Sequence, residues 1–126
     1  ARRAAKQAIK FAQRNDATLH VLYAMDMGDA GYVAVPSDIE ETRGRMEKKG
    51  QKLVNGVAEL ADESGVDCET VVKSGIPEDE ILEYVREHAV DLVVMGRRGR
   101  SDPDKPLVGS TTKRVLARTD VPVRVV

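Results

Sequence analysis

Helical and extended periodicities alternate along the whole chain, and this alternation constrains its fold more than any other feature. Residues 1–14 place Ala5, Ala8, Ile9 and Ala12 at i, i+3, i+4 and i+7, with Arg2, Arg3, Lys6, Lys10 and Arg14 mostly elsewhere. That pattern predicts an amphipathic helix, with Asn15 as its left-handed stop. Residues 17–25, ATLHVLYAM, are β-rich and apolar enough for a largely buried strand. From Asp26 to Pro36 small residues and glycines predict a loop, after which Ser37 or Asp38 caps a long polar helix. Its Met46, Leu53, Val57 and Leu60 recur on one face, and Gly65 ends it. Residues 66–73, VDCETVVK, read as a strand, and SGIPEDEILEYVREHA opens a helix on Pro77 with Glu78, Asp79 and Glu80 in its first turn. Ile81, Leu82, Val85 and Ala89 supply that helix with a buried stripe. DLVVMG, 91–96, is a short apolar strand, Ser110 caps a helix running to about Arg118, and VPVRVV closes the chain as a strand.

Strands so short and apolar leave no wet face, so the expected class is α/β with a parallel sheet and helices on both faces. At 126 residues and 13.8 kDa, one domain covers 1–126. The opening element is a helix, and a crossover helix needs a strand to cross from. A further apolar strand of about five residues is therefore expected upstream of Ala1.

Charge and composition narrow the function. Twenty Lys and Arg against 21 Asp and Glu give a net charge of -1, so neither nucleic acid nor an anionic membrane attracts the molecule as a whole. No run of residues is apolar enough for a membrane span, and no secretory leader is recognisable at the start. The single cysteine, Cys68, forms no internal disulfide, which fits a reducing cytoplasm. Aromatics at 3%, without Trp, leave few platforms for stacking bases.

One stretch asks for a ligand. MGRRGRSDPDKPLVGST, 95–111, follows directly on a strand end, where open parallel sheets bind ligands. Gly96 and Gly99 allow positive φ and close backbone approach, so successive amides can form an anion-binding concavity. Gly109 does the same before Ser110, whose helix start presents unpaired N–H groups and the positive dipole end. Arg97, Arg98, Arg100 and Lys105, against only Asp102 and Asp104, suit a polyphosphate. The spacing Gly-x2-Gly-x9-Gly-Ser is neither a Walker P-loop nor the dinucleotide fingerprint. Read from spacing alone, a phosphate cradle and a plain turn with solvated arginines stand level.

With ATLHVLYAMD, SGIPEDEI, DLVVMGRRGR, VGSTTKRVL and VPVRVV in this order, the sequence resembles the universal stress protein family, in its ATP-binding branch. The resemblance implies a five-stranded doubly wound sheet of the adenine nucleotide alpha hydrolase-like kind, its first strand absent here together with an Asp that contacts nucleotide. It implies that Ala24 reads the adenine edge with Met95 close by. Gly96, Arg98 and Gly99 would line ribose and phosphates, while Gly109, Ser110, Thr111 and Thr112 would hold the triphosphate, and the Gly75–Pro77 turn would lie beside the nucleoside. Pro103 and Pro106 remove two amide donors inside the spacer but leave the flanking ones. The implied ligand is ATP accompanied by Mg2+, and the implied assembly is a homodimer through 121–126, whose apolar edge needs cover.

The remaining reactive side chains have plainer readings. His20 and His88 have no Cys or His at ligand spacing, and Cys68 reads as a packed strand residue. Asp91 starts a strand, Glu78, Asp79 and Glu80 suit a helix N-terminus, and Ser110 lacks any His and acid arranged around it. No carboxylate or glutamine is placed to orient an attacking water, so binding with slow or no hydrolysis is expected. A nucleotide-free dimeric scaffold of the same fold is the alternative, and an adenylyl- or phosphoryl-transferring enzyme the third reading.

Overall fold

The structure, a computed structural model, describes residues 2–26, 36–96 and 109–126. Elements follow in strict alternation: α1 (Arg2–Asn15), β1 (Leu19–Met25), α2 (Pro36–Glu63), β2 (Cys68–Ser74), α3 (Pro77–Glu87), β3 (Val93–Met95), α4 (Ser110–Arg118) and β4 (Val123–Val125). All pairing is parallel. β1 runs beside β2 from Leu19 opposite Cys68 to Met25 opposite Ser74, and β3 beside β4 from Val93 opposite Val123 to Met95 opposite Val125.

The strands form two separate two-stranded sheets, β1–β2 and β3–β4, rather than one continuous sheet. β1 and β3 each have one partner among the described residues, and both line the same cavity with Leu22, Tyr23, Val93 and Val94. α1 packs against both of them and so bridges the two half-sheets. The five-stranded sheet expected from the resemblance is therefore not what these residues form.

Ile9, Ala12, Ala61 and Val66 make the buried centre on the α1–α2 side, with Leu19, Val57 and Leu60 packed around them. Sequence periodicity misjudged this side at one point: Leu53 is exposed, while its neighbour Val54 is 2% exposed. The sheet-facing row of α2 runs through Gly50, Val54 and Ala61, at spacings of four and seven. Gly50 belongs to it because the Tyr23 ring lies where a Cβ would stand.

Helix ends differ from expectation for local reasons. Asn15 stays helical, its Nδ2 donating to Phe11 O at 2.8 Å, and Asp16 takes the left-handed turn at φ 52°. α2 begins on Pro36, ahead of the Ser37 or Asp38 expected to cap it, because proline's fixed φ and missing N–H suit a first helical position. Gly65, at φ 71°, closes α2 as expected, with its N–H bonded to Asp62 O and that of Val66 to Ala61 O. α3 starts on Pro77 as expected, but it buries Tyr84 and Glu78 beside Leu82, whereas Ala89 lies exposed beyond the helix at φ 49°.

Candidate functional site

At the carboxyl ends of the strands, the chain brings together residues far apart in sequence. Ala24 comes from the end of β1, Met95 and Gly96 from the end of β3, and Gly109, Ser110, Thr111 and Thr112 from the start of α4. All seven line one cavity of about 1630 Å³. Pro77 and its neighbour Ile76 line it too, from the turn into α3. Arg98 and Gly99 lie outside the described residues, as do Arg97, Arg100, Asp102, Pro103, Asp104, Lys105 and Pro106. The volume exceeds the roughly 300–1,000 Å³ of ordinary small-molecule pockets because it takes in the space between the half-sheets.

Local geometry at α4 shows what each residue contributes. Gly109 is the N-cap, with φ -62° and ψ 157°, and no side chain caps the helix. Its carbonyl accepts the Lys113 N–H at 3.0 Å, the first bond of the helix. The preceding amides of the first turn have no intrahelical acceptor, and the helix dipole adds partial positive charge there. Gly109 has φ -62° rather than the positive value that glycine allows. An N-cap takes extended backbone, so Gly109 contributes a missing side chain rather than an unusual turn.

The hydroxyls divide by role. Thr112 is buried, and its Oγ1 donates to Gly96 O at 3.0 Å, so its proton ties α4 to the end of β3 instead of pointing at a ligand. Ser110 is exposed and Thr111 half-buried, and neither hydroxyl has a partner among the described residues. Arg114, one turn further along the same face, also lines the cavity. Its Nη1 lies 3.4 Å from Oε1 of Glu78, a residue 7% exposed whose Oε2 has no hydrogen-bond partner among the described residues. Sequence reasoning read Glu78 only as a helix-start acid and passed over Arg114. The i+4 spacing from Ser110 to Arg114 was the available signal.

Near the amino end of β1 the same cavity meets an aromatic cluster. The Tyr84 hydroxyl and His20 Nδ1 are 2.6 Å apart, Glu69 Oε2 is 3.2 Å from the same nitrogen, and the Tyr84 and His88 rings stack at 3.8 Å. Burial, with the Glu69 charge adding to it, raises the Tyr84 phenol above its ordinary value. Among the described residues no group of three or more His, Cys, Asp or Glu could hold a metal ion. Cys68 packs against the Ile9 core, and burial followed by the Glu69 charge raises its thiol, which disfavours the reactive thiolate.

The sequence profile of the Universal stress protein family matches residues 1–126. The chain belongs to the universal stress protein family. Among similar proteins, universal stress protein MJ0531 of Methanocaldococcus jannaschii is 33% identical over 125 residues, covering 98% of this chain and 72% of that protein. The solved universal stress protein UspA from Lactobacillus plantarum superposes with a TM-score of 0.88 at 26% identity, covering 99% of this chain and 88% of that one. A universal stress protein solved in complex with cAMP gives a TM-score of 0.68 at 25% identity over 98% of this chain and 84% of that one. Among the described residues of this family member, no helix is long and apolar enough to cross a membrane.

Proposed function

We propose that this universal stress protein is an adenine-nucleotide-binding regulatory module whose ligand is ATP. The observation that carries the reading is the convergence on one cavity of Ala24, Met95, Gly96, Gly109, Ser110 and Thr111, residues that the family resemblance had grouped. The solved relative that binds cAMP supports an adenine nucleotide at such a site. In this reading Ala24 and Met95 meet the adenine, the α4 amides and the Ser110 and Thr111 hydroxyls hold the phosphates, and Thr112 acts through Gly96. Gly99 completes the Gly-x2-Gly-x9-Gly-Ser pattern of the ATP-binding branch, and Arg98 stands inside it beside the phosphates. Mg2+ accompanies the phosphates through their own oxygens and water, since it needs few protein ligands. Occupancy rather than turnover is the signal, in the cytoplasm, with slow or absent hydrolysis.

Two further parts belong to this reading. An upstream apolar strand fills the space between β1 and β3, with α1 as its crossover, and makes 1–126 the bulk of a single five-stranded domain. The chain spans 65–72% of the first three curated relatives it matches, which leaves room for such a segment. The outer edge of β4 pairs with its twin in a homodimer, and sedimentation should report a dimer at micromolar concentration.

Thermal unfolding with and without saturating Mg-ATP, with GTP as control, tests the function on this chain and on the chain extended upstream. A ligand at 100 times its Kd adds about 2.7 kcal/mol, enough to raise Tm by several degrees in a domain of this size. A shift specific to ATP supports the reading. No shift with either nucleotide, and none found already bound on extraction, would leave a nucleotide-free scaffold.

A further inference from the structure

Two ion pairs join the first turn of α3 to the body of α4, and their geometry is the reverse of what their surroundings call for. Arg118 Nη1 meets Asp79 Oδ1 at 2.7 Å, although both side chains are about half exposed. Arg114 Nη1 stands 3.4 Å from Glu78 Oε1, although the Glu78 side chain is only 10% exposed. A buried carboxylate gains most from a short, two-pronged contact with a guanidinium, and an unpartnered buried oxygen is unfavourable. The buried pair is nevertheless the loose one. It leaves Glu78 Oε2 without a partner among the described residues and most of the Arg114 N–H donors uncommitted.

The positions of these groups give the inversion a use. Arg114 and Glu78 both line the cavity at its α4 end, with Ser110 and Thr111 one turn away on the same helix. Arg114 keeps a side-chain exposure of 59%, so its free donors can reach a ligand while Glu78 holds the guanidinium from behind. The α4 helix start and the Arg114 guanidinium favour an anion at this end of the cavity, while Glu78, Asp79 and Glu80 occupy the first turn of α3. A phosphate oxygen suits the uncommitted Arg114 donors and the α4 helix start, whereas Glu78 Oε2, itself an acceptor, takes no bond from it.

We propose that Arg114 is a phosphate-binding residue of this site and that Glu78 is its positioning residue, so that the pair sets how strongly the site favours ligands with more phosphate groups. This rests on the nucleotide reading for the identity of the adenosine part, but not for the phosphate part. In the unliganded chain Glu78 keeps the guanidinium from swinging out to solvent. With ligand present, the donors not used by Glu78 bind a phosphate oxygen.

The test is calorimetric titration of the chain extended upstream with adenosine, AMP, ADP, ATP and inorganic tripolyphosphate, repeated with Arg114→Gln, Arg114→Lys and Glu78→Gln. Arg114→Gln should weaken ATP and tripolyphosphate about ten- to a hundredfold while leaving adenosine unchanged, since a hydrogen bond between charged groups is lost. Arg114→Lys should restore part of the loss, and Glu78→Gln should weaken the same ligands by a smaller factor, with Tm of each variant confirming the fold. Equal losses for adenosine and ATP would show a merely structural role and overturn the proposal, as would an Arg114→Gln chain that binds ATP normally. Tripolyphosphate binding that depends on Arg114, without adenosine binding, would uphold the inference and defeat the adenine reading. Failure of the unaltered chain to bind any of the five ligands would defeat both.

Discussion

β1 and β2 share seven rungs and are covered by a helix of 28 residues, whereas β3 and β4 share three, with α1 packed against β3. The longer half has a continuous apolar centre in Ile9, Ala12, Ala61 and Val66. The shorter half buries Leu82 and Val115 but also Glu78 and Thr112, and it supplies most of the residues at the ligand end of the cavity. Stability and binding thus draw on different halves. A polar group can be left half-satisfied in the second because the first carries much of the apolar burial.

The largest effect should come from breaking the apolar half. Ile9→Ala should destabilise the chain by about 2–5 kcal/mol in urea unfolding, with ATP affinity of the remaining folded molecules unchanged. A matching fall in affinity would show that the halves are not separable in this way.

A second substitution in the same half should be harmful despite favouring the helix. Gly50→Ala gains up to about 1 kcal/mol of helix propensity, but its methyl group meets the Tyr23 ring, and overpacking of this kind costs about 1–3 kcal/mol. A lowered Tm is expected, and a raised one would mean that Tyr23 moves aside into the cavity it lines.

On the α3 side the expected loss is smaller. Tyr84→Phe removes the hydroxyl 2.6 Å from His20 and should lower stability by about 0.5–1.5 kcal/mol without altering nucleotide affinity. Any change in affinity would join this end of the cavity to the ligand end.

The smallest effect is a pH dependence. Cys68 and Tyr84 both hold their protons more tightly when folded, since burial raises each above its ordinary value of 9.0 and 10.0. Above those values the unfolded chain loses protons that the folded chain retains, so this contribution is fully present below about pH 9 and falls as pH rises further. Cys68→Ala should flatten the first part of that decline in denaturant titrations at pH 8 to 10. An unchanged slope would assign the decline to Tyr84 and other groups.

Much of the architecture was legible because its signals are local. Pro77 followed by three acids marks a helix start whatever it packs against, and Ser110 to Arg118 was bounded correctly by a glycine before it and a strand after it. Burial was less legible. Leu53 and Val54 are equally apolar and adjacent, and only the line of approach of β1 and β2 to α2 selects Val54 for the core. The site followed the same division. Ser110 and Gly109 were identifiable as a helix start, although Gly109 and not the expected Ser110 is its N-cap, and Thr112 looked equivalent to Thr111 until its hydroxyl was found on Gly96 O. Arg114 carried no motif at all, and it enters the site only because α3 brings Glu78 against it.

By itself, the sequence determined the alternation of helices and strands, the parallel α/β class and the family, because periodicity, caps and motif spacing are properties of short stretches of chain. Tertiary structure alone decided that β1–β2 and β3–β4 stand as two half-sheets around one cavity, which side chains that cavity receives, and which buried polar atoms remain without partners. Those outcomes depend on distances between residues 16 to 51 or more positions apart, such as Thr112 to Gly96 and Gln13 to Ser64. No local pattern encodes such distances, since they are set by how whole faces of helices and strands pack against one another.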